Sequence, residues 1–550
     1  MVGLSAVVSL LLMSVVLVGI GVGFSELGVK GVLSGASKVS LGVQDLMFEF
    51  CYGSEVSPMA VVVVAIFIMV LVFTMVYMVG EVEYNSFLAF VGSFVIGMLI
   101  LVMAQGVYSG LVGWELLGVI SFVLIGYYGT RSSWGSALVT MVINRGGDVS
   151  FMLMLLILAL LLGSLNGSVL GSVVGLLGCT LVLTKSSQFP CSGWLPLAMA
   201  APTPVSALVH SSTLVVAGLV MGVYLWGIMG VESVAAELCL LMGIMTLISS
   251  SISVLWEMDF KKVVALSTSI HLSVMLLMLV ASGTGLAMMH MAVHALFKSL
   301  LFVAVGVIIL MSYHDQDYRG VLGLSGEFSA VSGVVVLSSV WSLVGLMGFS
   351  GWVTKDTLLE SVYLQSGGLA VVLMMVVALS CSMLYGWKLV NISVGSGGVQ
   401  SLSSVGWGVS SSLLVVMGVM GVLGVSVGGL MSSGLDSSVA LGVISGLEKG
   451  VYWVVGVVII SVVLLGGLFS PVGANMMYLQ DLFQVLLGGV SVLSLLLVSK
   501  VEYAVSSVVA EGTAEVMGSS LRAMMSLLKS LDMWVAFVGM VIYTLILTVF

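Results

Sequence analysis

Charge is what this sequence has least of. Of 550 residues only 7% are Asp, Glu, Lys or Arg, against 60% apolar ones, and the mean hydropathy is +1.29. Soluble domains carry charge at about a quarter of their positions, so this composition excludes a water-soluble fold. The charges, net −9, are also too sparse to build a face for nucleic acid, and no such partner is expected. Cysteine is scarce as well. Cys51, Cys179, Cys191, Cys239 and Cys381 lie twelve or more residues apart, which excludes a CxxC redox motif and iron–sulfur ligand spacing. There is no P-loop, and Gly19, Gly21 and Gly23 sit in an apolar stretch without the strand and turn of a dinucleotide fingerprint. No cofactor is expected in this chain, and any redox chemistry coupled to it belongs to another subunit.

What the sequence does have is apolar runs of about 20 residues, each long enough to cross ~30 Å of hydrocarbon as a helix. They fall near 4–24, 57–79, 86–107, 111–128, 136–163, 168–190, 203–229, 235–256, 263–281, 285–311, 328–350, 369–391, 407–430, 451–470 and 531–550. Val-rich stretches such as Val61–Val64 favour strands by propensity, but a barrel strand needs only ~10 alternating residues and run length decides for helices. The expected fold is an all-α polytopic membrane protein of about 15 transmembrane helices. The N-terminus is apolar from Val2 to Phe24 with no basic residue before Lys30 and no small-residue cleavage site, and is read as a retained helix. Segments 25–56, 478–499 and 500–530 are ambiguous. The last spreads Lys500, Glu502, Glu511, Glu515, Arg522 and Lys529 among apolar residues, which suits a lateral amphipathic helix in the interface before a final anchor, a plain surface connection being the alternative.

Proline is rare too, and four of the six, Pro190, Pro196, Pro202 and Pro204, crowd into TKSSQFPCSGWLPLAMAAPTPVSALVH, through which no helix runs smoothly. A second interruption is expected in GFSGWVTKDTLLE at 348–360. Two broken helices, each beside ionisable residues, are the pattern of duplicated transporter halves related as inverted repeats.

A charge at mid-membrane costs at least about 2.5–3.5 kcal/mol, so each one inside a span needs a partner, water or a function. Those inside or beside the spans are Glu115, Lys185, His210, His290, His294, Lys298, Lys355, Asp356 and Glu360. His290, His294 and Lys298 step by four and share one helical face within roughly 80°, over about 12 Å of rise. Such a stripe suits proton passage through intervening water; packing is the alternative, and a zinc site lacks a third ligand at the usual spacing. Glu115 and Lys185 have the types of an acid–base couple or of a structural ion pair. Arg145 and Asp148, spaced i,i+3, are expected to form a local pair. The charges Asp259, Lys261, Lys262, Asp315, Asp317 and Arg319 are assigned to loops of mixed sign.

The ordered motifs GWELLGVISFVLIGYY, NRGGDV, TKSSQF, WLPLAMAAPTPVSALVHSSTLVVAG, DFKKVVALSTS, HMAVHALFKSLLF and GFSGWVTKDTLLE, within residues 57–390, resemble the antiporter-like membrane subunits of respiratory complex I, above all the mitochondrial subunit-5 group. The resemblance implies N-terminal transmembrane helices over 1–107, a first antiporter-like half over 108–234 broken near 185–204, and a second over 235–391 broken near 348–360. Additional helices over 392–499, a lateral helix over 500–530 and an anchor over 531–550 follow. It implies proton transfer by Glu115 and Lys185 in the first half-channel, His210 as a central-axis carrier, Lys298 with His294 as the following link, and Asp356 as the outlet candidate beside Lys355 at the second broken helix; His290 joins them as a proton-transfer candidate through the stripe. It also implies other complex I membrane-arm subunits as partners, with NAD, FMN, iron–sulfur clusters and ubiquinone bound by partner subunits, lipids such as cardiolipin around the chain, and a mitochondrial inner-membrane location. An Mrp-type cation/proton antiporter subunit is the alternative. Three features depart from the family pattern: His271 stands where a Gln is usual, Ala200 where a Glu is usual, and one of sixteen helices is missing at the N-terminus. The Val, Gly, Met and Trp richness matches a T- and G-biased coding strand, as in some organelle genomes.

Overall fold

The computed structural model describes residues 57–345 apart from short gaps at 82, 105–106, 162–167, 230–233, 282, 313 and 318–326, together with the backbone of 39–41 and 48–50 and isolated positions between 351 and 421. The expected span at 4–24, the spans beyond 430, the lateral segment, Asp356, Glu360 and most of the interruption at 348–360 lie outside the described residues.

Eleven helices fill the ten spans expected between 57 and 350: α1 (Ser57–Tyr77), α2 (Tyr84–Met103), α3 (Val107–Ile125), α4 (Arg131–Leu161), α5 (Ser168–Lys185), a span in two pieces α6 (Thr203–Val209) and α7 (Leu214–Met229), α8 (Val234–Trp256), α9 (Phe260–Ala281), α10 (Thr284–Met311) and α11 (Glu327–Val344). Among the described residues, seven segments are long and apolar enough to cross a bilayer, and three shorter apolar helices, Ser109–Ile125, Ser172–Lys185 and Gly333–Val344, accompany them. The polar stretch 25–56 contributes a short antiparallel ribbon, Val39–Leu41 against Phe48–Phe50, to this otherwise helical fold.

Burial sorts the helices into an interior and a rim. The apolar windows of α9 and α10 are each 94% buried, whereas that of α4 is 39% buried and presents Val142, Val149 and Leu156 outward. Polar side chains on α9 and α10 therefore face protein, while the outer face of α4 has the apolar surface that lipid demands. Close helix approach depends on missing side chains. A Cβ at Gly113 of α3 would lie 2.8 Å from the Leu101 backbone nitrogen of α2, so only glycine permits this crossing.

The proline-rich stretch folds into three short pieces. Helix α5 ends at Lys185, five residues before the expected end of its span, and Ser187 takes φ 50°. A helical turn at Trp194–Leu197 and a 3₁₀ turn at Ala198–Ala200 follow, and Pro204 occupies the first turn of α6, where its missing N–H costs nothing. A further interruption has no proline. Between α6 and α7, His210–Thr213 leaves the helical path, and hydroxyls take up the freed carbonyls: Ser211 Oγ donates to Ala207 O, and Thr213 Oγ1 to Leu208 O at 2.8 Å. Ser and Thr can do this because their side chains compete with the backbone ladder.

Candidate functional site

Four of the charges meet at the junction of α3, α4 and α5. Arg145 of α4 donates to Glu115 of α3 at 2.7 Å and lies 3.2 Å from Asp148, one turn further along its own helix. Lys185, at the last residue of α5, has its ammonium 3.9 Å from Asp148 and 4.4 Å above the Trp114 ring. Trp114 ties this together, donating through Nε1 to Asp148 Oδ1 at 2.6 Å while offering its π face to Lys185. Glu115 and Lys185, read from the sequence as a couple, are not within ion-pair distance; Arg145 holds the glutamate and Asp148 is the carboxylate nearest the lysine. The Arg145–Asp148 pair exists, but as the bridge of a four-charge network rather than as an isolated local pair. Lys185 can reach this junction because Gly218 of α7 yields the space: a Cβ there would sit 2.9 Å from Lys185 Cβ and 3.0 Å from Ser186 N.

His210 lies in the α6–α7 interruption, fully enclosed, and neither ring nitrogen has a hydrogen-bond partner among the described residues. Its ring centroid is 6.3 Å from that of Phe302 on α10. The neighbouring Ser211 backbone lies against His294 of α10, so the interruption joins the first half of the bundle to the histidine-bearing helix.

The second cluster lines α9 and α10. His290, His294 and Lys298 occupy one face of α10 as their spacing requires, and all are buried. From α9, His271 places Nδ1 3.4 Å from His290 Nε2, with ring centroids 5.6 Å from His290 and 5.4 Å from His294. His290 Nδ1 in turn lies 2.9 Å from Thr354 Oγ1. Lys298 donates to Ser267 Oγ of α9 at 2.5 Å. Lys355 closes the row by donating to the last carbonyls of α11, Leu343 O and, at 3.1 Å, Val344 O. A cation suits this place, because a helix end concentrates unsatisfied carbonyls and partial negative charge. Gly345, at φ 81°, follows that end without a side chain, and a Cβ there would lie 3.3 Å from Lys355 Cδ.

Some participants were not singled out from sequence. Lys261, assigned above to a loop, is the second residue of α9, buried, and donates to Ala201 O at 3.3 Å. Its neighbour Lys262 does face outward, paired with Asp259 at 2.7 Å. Ser267 and Thr354 are partners that no spacing rule identifies; they become visible only when α9 and the 351–358 stretch are seen against α10. Among the described residues no group of His, Cys, Asp and Glu has the geometry to hold a metal ion.

Residues 104–381 match the family model described as NADH:quinone oxidoreductase/Mrp antiporter, transmembrane. NADH-ubiquinone oxidoreductase chain 5 of Mytilus edulis is 35% identical over 288 residues, 52% of this chain and 50% of the relative. NADH-quinone oxidoreductase subunit L of Neisseria meningitidis serogroup B is 34% identical over 348 residues, 59% of this chain and 52% of the relative. The chain thus spans about half the length of these curated relatives. In fold it is similar to a chain of the Mrp complex from Dietzia sp. DQ12-45-1b, with a TM-score of 0.68 at 20% identity, covering 87% of this chain and 58% of that one.

Proposed function

Since the chain belongs to the NADH:quinone oxidoreductase/Mrp antiporter transmembrane family, we propose that it is a proton-translocating membrane-arm subunit of respiratory complex I in the mitochondrial inner membrane. The observation that carries this reading is a row of ionisable side chains, most of them buried, running through a bundle of apolar helices. Glu115, Arg145, Asp148 and Lys185 stand at one end, His210 in the helix interruption, then His271, His290, His294 and Lys298 on the two most buried helices, with Lys355 beyond. Burying one such group costs several kcal/mol, and a series of them spread over the bundle is what a proton path requires.

The geometry of the first cluster also suits a switch. Asp148 has two cationic suitors, Arg145 at 3.2 Å and Lys185 at 3.9 Å, and Glu115 competes for Arg145. When Asp148 swings toward Arg145, the ammonium of Lys185 is left beside an aromatic face in a low-dielectric interior, and its proton is released toward His210. When Asp148 returns, Lys185 is reloaded. Water bridging the unpartnered nitrogens of His210 extends the route to His294 and Lys298. Asp356, next in sequence to Lys355 and outside the described residues, is the candidate outlet. Moving one charge against 100 mV costs about 2.3 kcal/mol, so quinone reduction in other subunits must drive the cycle. NAD, FMN, iron–sulfur clusters and ubiquinone belong to those partner subunits, and this chain transfers protons only. The curated relatives carry oxidoreductase names, which favours this reading over a stand-alone antiporter subunit.

The test is the mass and cofactor content of the native detergent-solubilised assembly that holds this chain. A particle approaching a megadalton with flavin and iron–sulfur clusters is expected; a small cofactor-free particle would replace the reading with an antiporter.

A further inference from the structure

Two histidines on one face of α10, His290 and His294, are separated by one helical turn, and what lies between them is a side chain from the neighbouring helix. His271 of α9 stacks on His290 with an interplanar angle of 24° and a centroid distance of 5.6 Å, and it packs at 38° and 5.4 Å against His294. All three are buried at 2%, 2% and 1% exposure. The charged and titratable groups that act on His271 are His290, His294 and Lys298 of α10 and Lys355.

The hydrogen bonds give this stack a direction. Thr354 Oγ1 donates to Gly351 O at 3.3 Å, leaving its lone pairs for the Nδ1–H of His290 at 2.9 Å. Neutral His290 in that tautomer presents a bare Nε2 to His271 Nδ1, 3.4 Å away. The opposite nitrogen of His271, Nε2, is buried and has no hydrogen-bond partner among the described residues. An imidazole with one nitrogen within reach of His290 and its ring packed on His294 can take a proton at one edge, once His290 is protonated, and release it at the other.

We propose that His271 is a proton-carrying residue that relays between His290 and His294, an assignment that rests on the proton-translocation reading above. His290, protonated at Nε2, gives that proton to His271 Nδ1: one N–H bond breaks and one forms. His271, now doubly protonated, loses its Nε2 proton to a water molecule, which passes it to a ring nitrogen of His294. One proton crosses from His290 to His294, His271 returns as the other tautomer, and a ring flip resets it. No electron moves.

The experiment uses the intact complex reconstituted into liposomes, with proton uptake measured per NADH oxidised, for the parent, His271→Gln, His271→Ala and Lys185→Met. Glutamine keeps hydrogen-bonding capacity but cannot take a proton into its side chain and pass it on; alanine leaves a cavity that free imidazole fits. Loss of a positioned acid–base group is expected to slow coupled turnover about tenfold or more in both His271 variants, with assembly and NADH oxidation by an artificial acceptor unchanged. Added imidazole should restore the Ala variant and leave the Gln variant slow. Parent-like coupled turnover in the Gln variant overturns the relay, and this arm decides the matter even where the Ala variant fails to assemble. Failure of imidazole to restore an assembled Ala variant also overturns it. Lys185→Met separates the two levels. If it abolishes pumping while His271→Gln does not, the relay alone is wrong; if the parent complex itself moves no protons, the translocation reading fails and the relay with it.

Discussion

The two ends of the buried row solve the same problem in different ways. Around Lys185 the cation is met by formal negative charge: Asp148 at 3.9 Å, itself shared with Arg145, which is held by Glu115. Around Lys298 and Lys355 the described partners are neutral dipoles, the Ser267 hydroxyl and the terminal carbonyls of α11. A carboxylate holds an ammonium charged; a hydroxyl or carbonyl stabilises it far less in a dry interior. The first cluster is therefore suited to storing a proton until the ion pair is disturbed, and the second to passing one along. The helix that carries each follows the same division. Helix α4 is at the rim, within reach of a neighbour that could disturb the pair, whereas α9 and α10 are the most enclosed helices of the bundle.

Removing one member from each cluster should break this symmetry most visibly. Asp148→Asn leaves Lys185 and Arg145 short of a counter-charge, and truncating one partner of a buried pair costs about 3–5 kcal/mol. The variant complex is expected to lose thermal stability and pumping together. Lys298→Met removes a buried cation that no described carboxylate faces, so stability should hold or rise while pumping is lost. Thermal unfolding of the purified complexes, read beside proton uptake, checks the contrast; equal destabilisation by both variants would erase it.

A double-mutant cycle sharpens the wiring of the first cluster. Glu115→Gln combined with Arg145→Gln should show a coupling about 1 kcal/mol larger than Glu115→Gln combined with Lys185→Met, because the glutamate touches the arginine and not the lysine. Arg145 is 36% exposed, which keeps the expected figure near the low end for an ion pair.

Smaller effects test the packing. Gly218→Val forces its side chain against Lys185 Cβ and the Ser186 backbone, and coupled turnover should fall several-fold without loss of assembly. Ser267→Ala removes one hydrogen bond from Lys298, worth about 1–3 kcal/mol for a charged donor, and should slow turnover less than Lys298→Met. Val142→Leu on the outward face of α4 should change neither quantity, because the position is 70% exposed.

Much of the bundle was legible because hydrocarbon demands long apolar runs, and ten spans between 57 and 350 could be placed to within a few residues. Helix ends were less so. The span expected to reach 190 stops at Lys185, and the one expected to reach 350 stops at Val344, where Gly345 adopts a positive φ that hydropathy does not encode. The interruption at His210–Thr213 contains no proline; hydroxyls that cap their own helix make it, and apolar averaging runs through them. In the site, the α10 stripe followed from i,i+4 spacing alone. The partners of Glu115 and Lys185 did not, because a pairing across three helices depends on which faces pack together, and residue type only says that some pairing must exist. Lys261 was misplaced for a related reason: it stands beside loop charges in sequence, yet it begins α9 and points inward to Ala201.

In the proposed function Lys185, held by Asp148 against Trp114, gates a proton path through the row of ionisable side chains. Its most direct test is the number of protons moved per NADH oxidised by the reconstituted complex carrying Lys185→Met, a substitution that keeps volume and removes the charge. The account predicts an assembled complex that oxidises NADH with a lowered proton-to-electron ratio; an unchanged ratio would take Lys185 out of the pathway and contradict it.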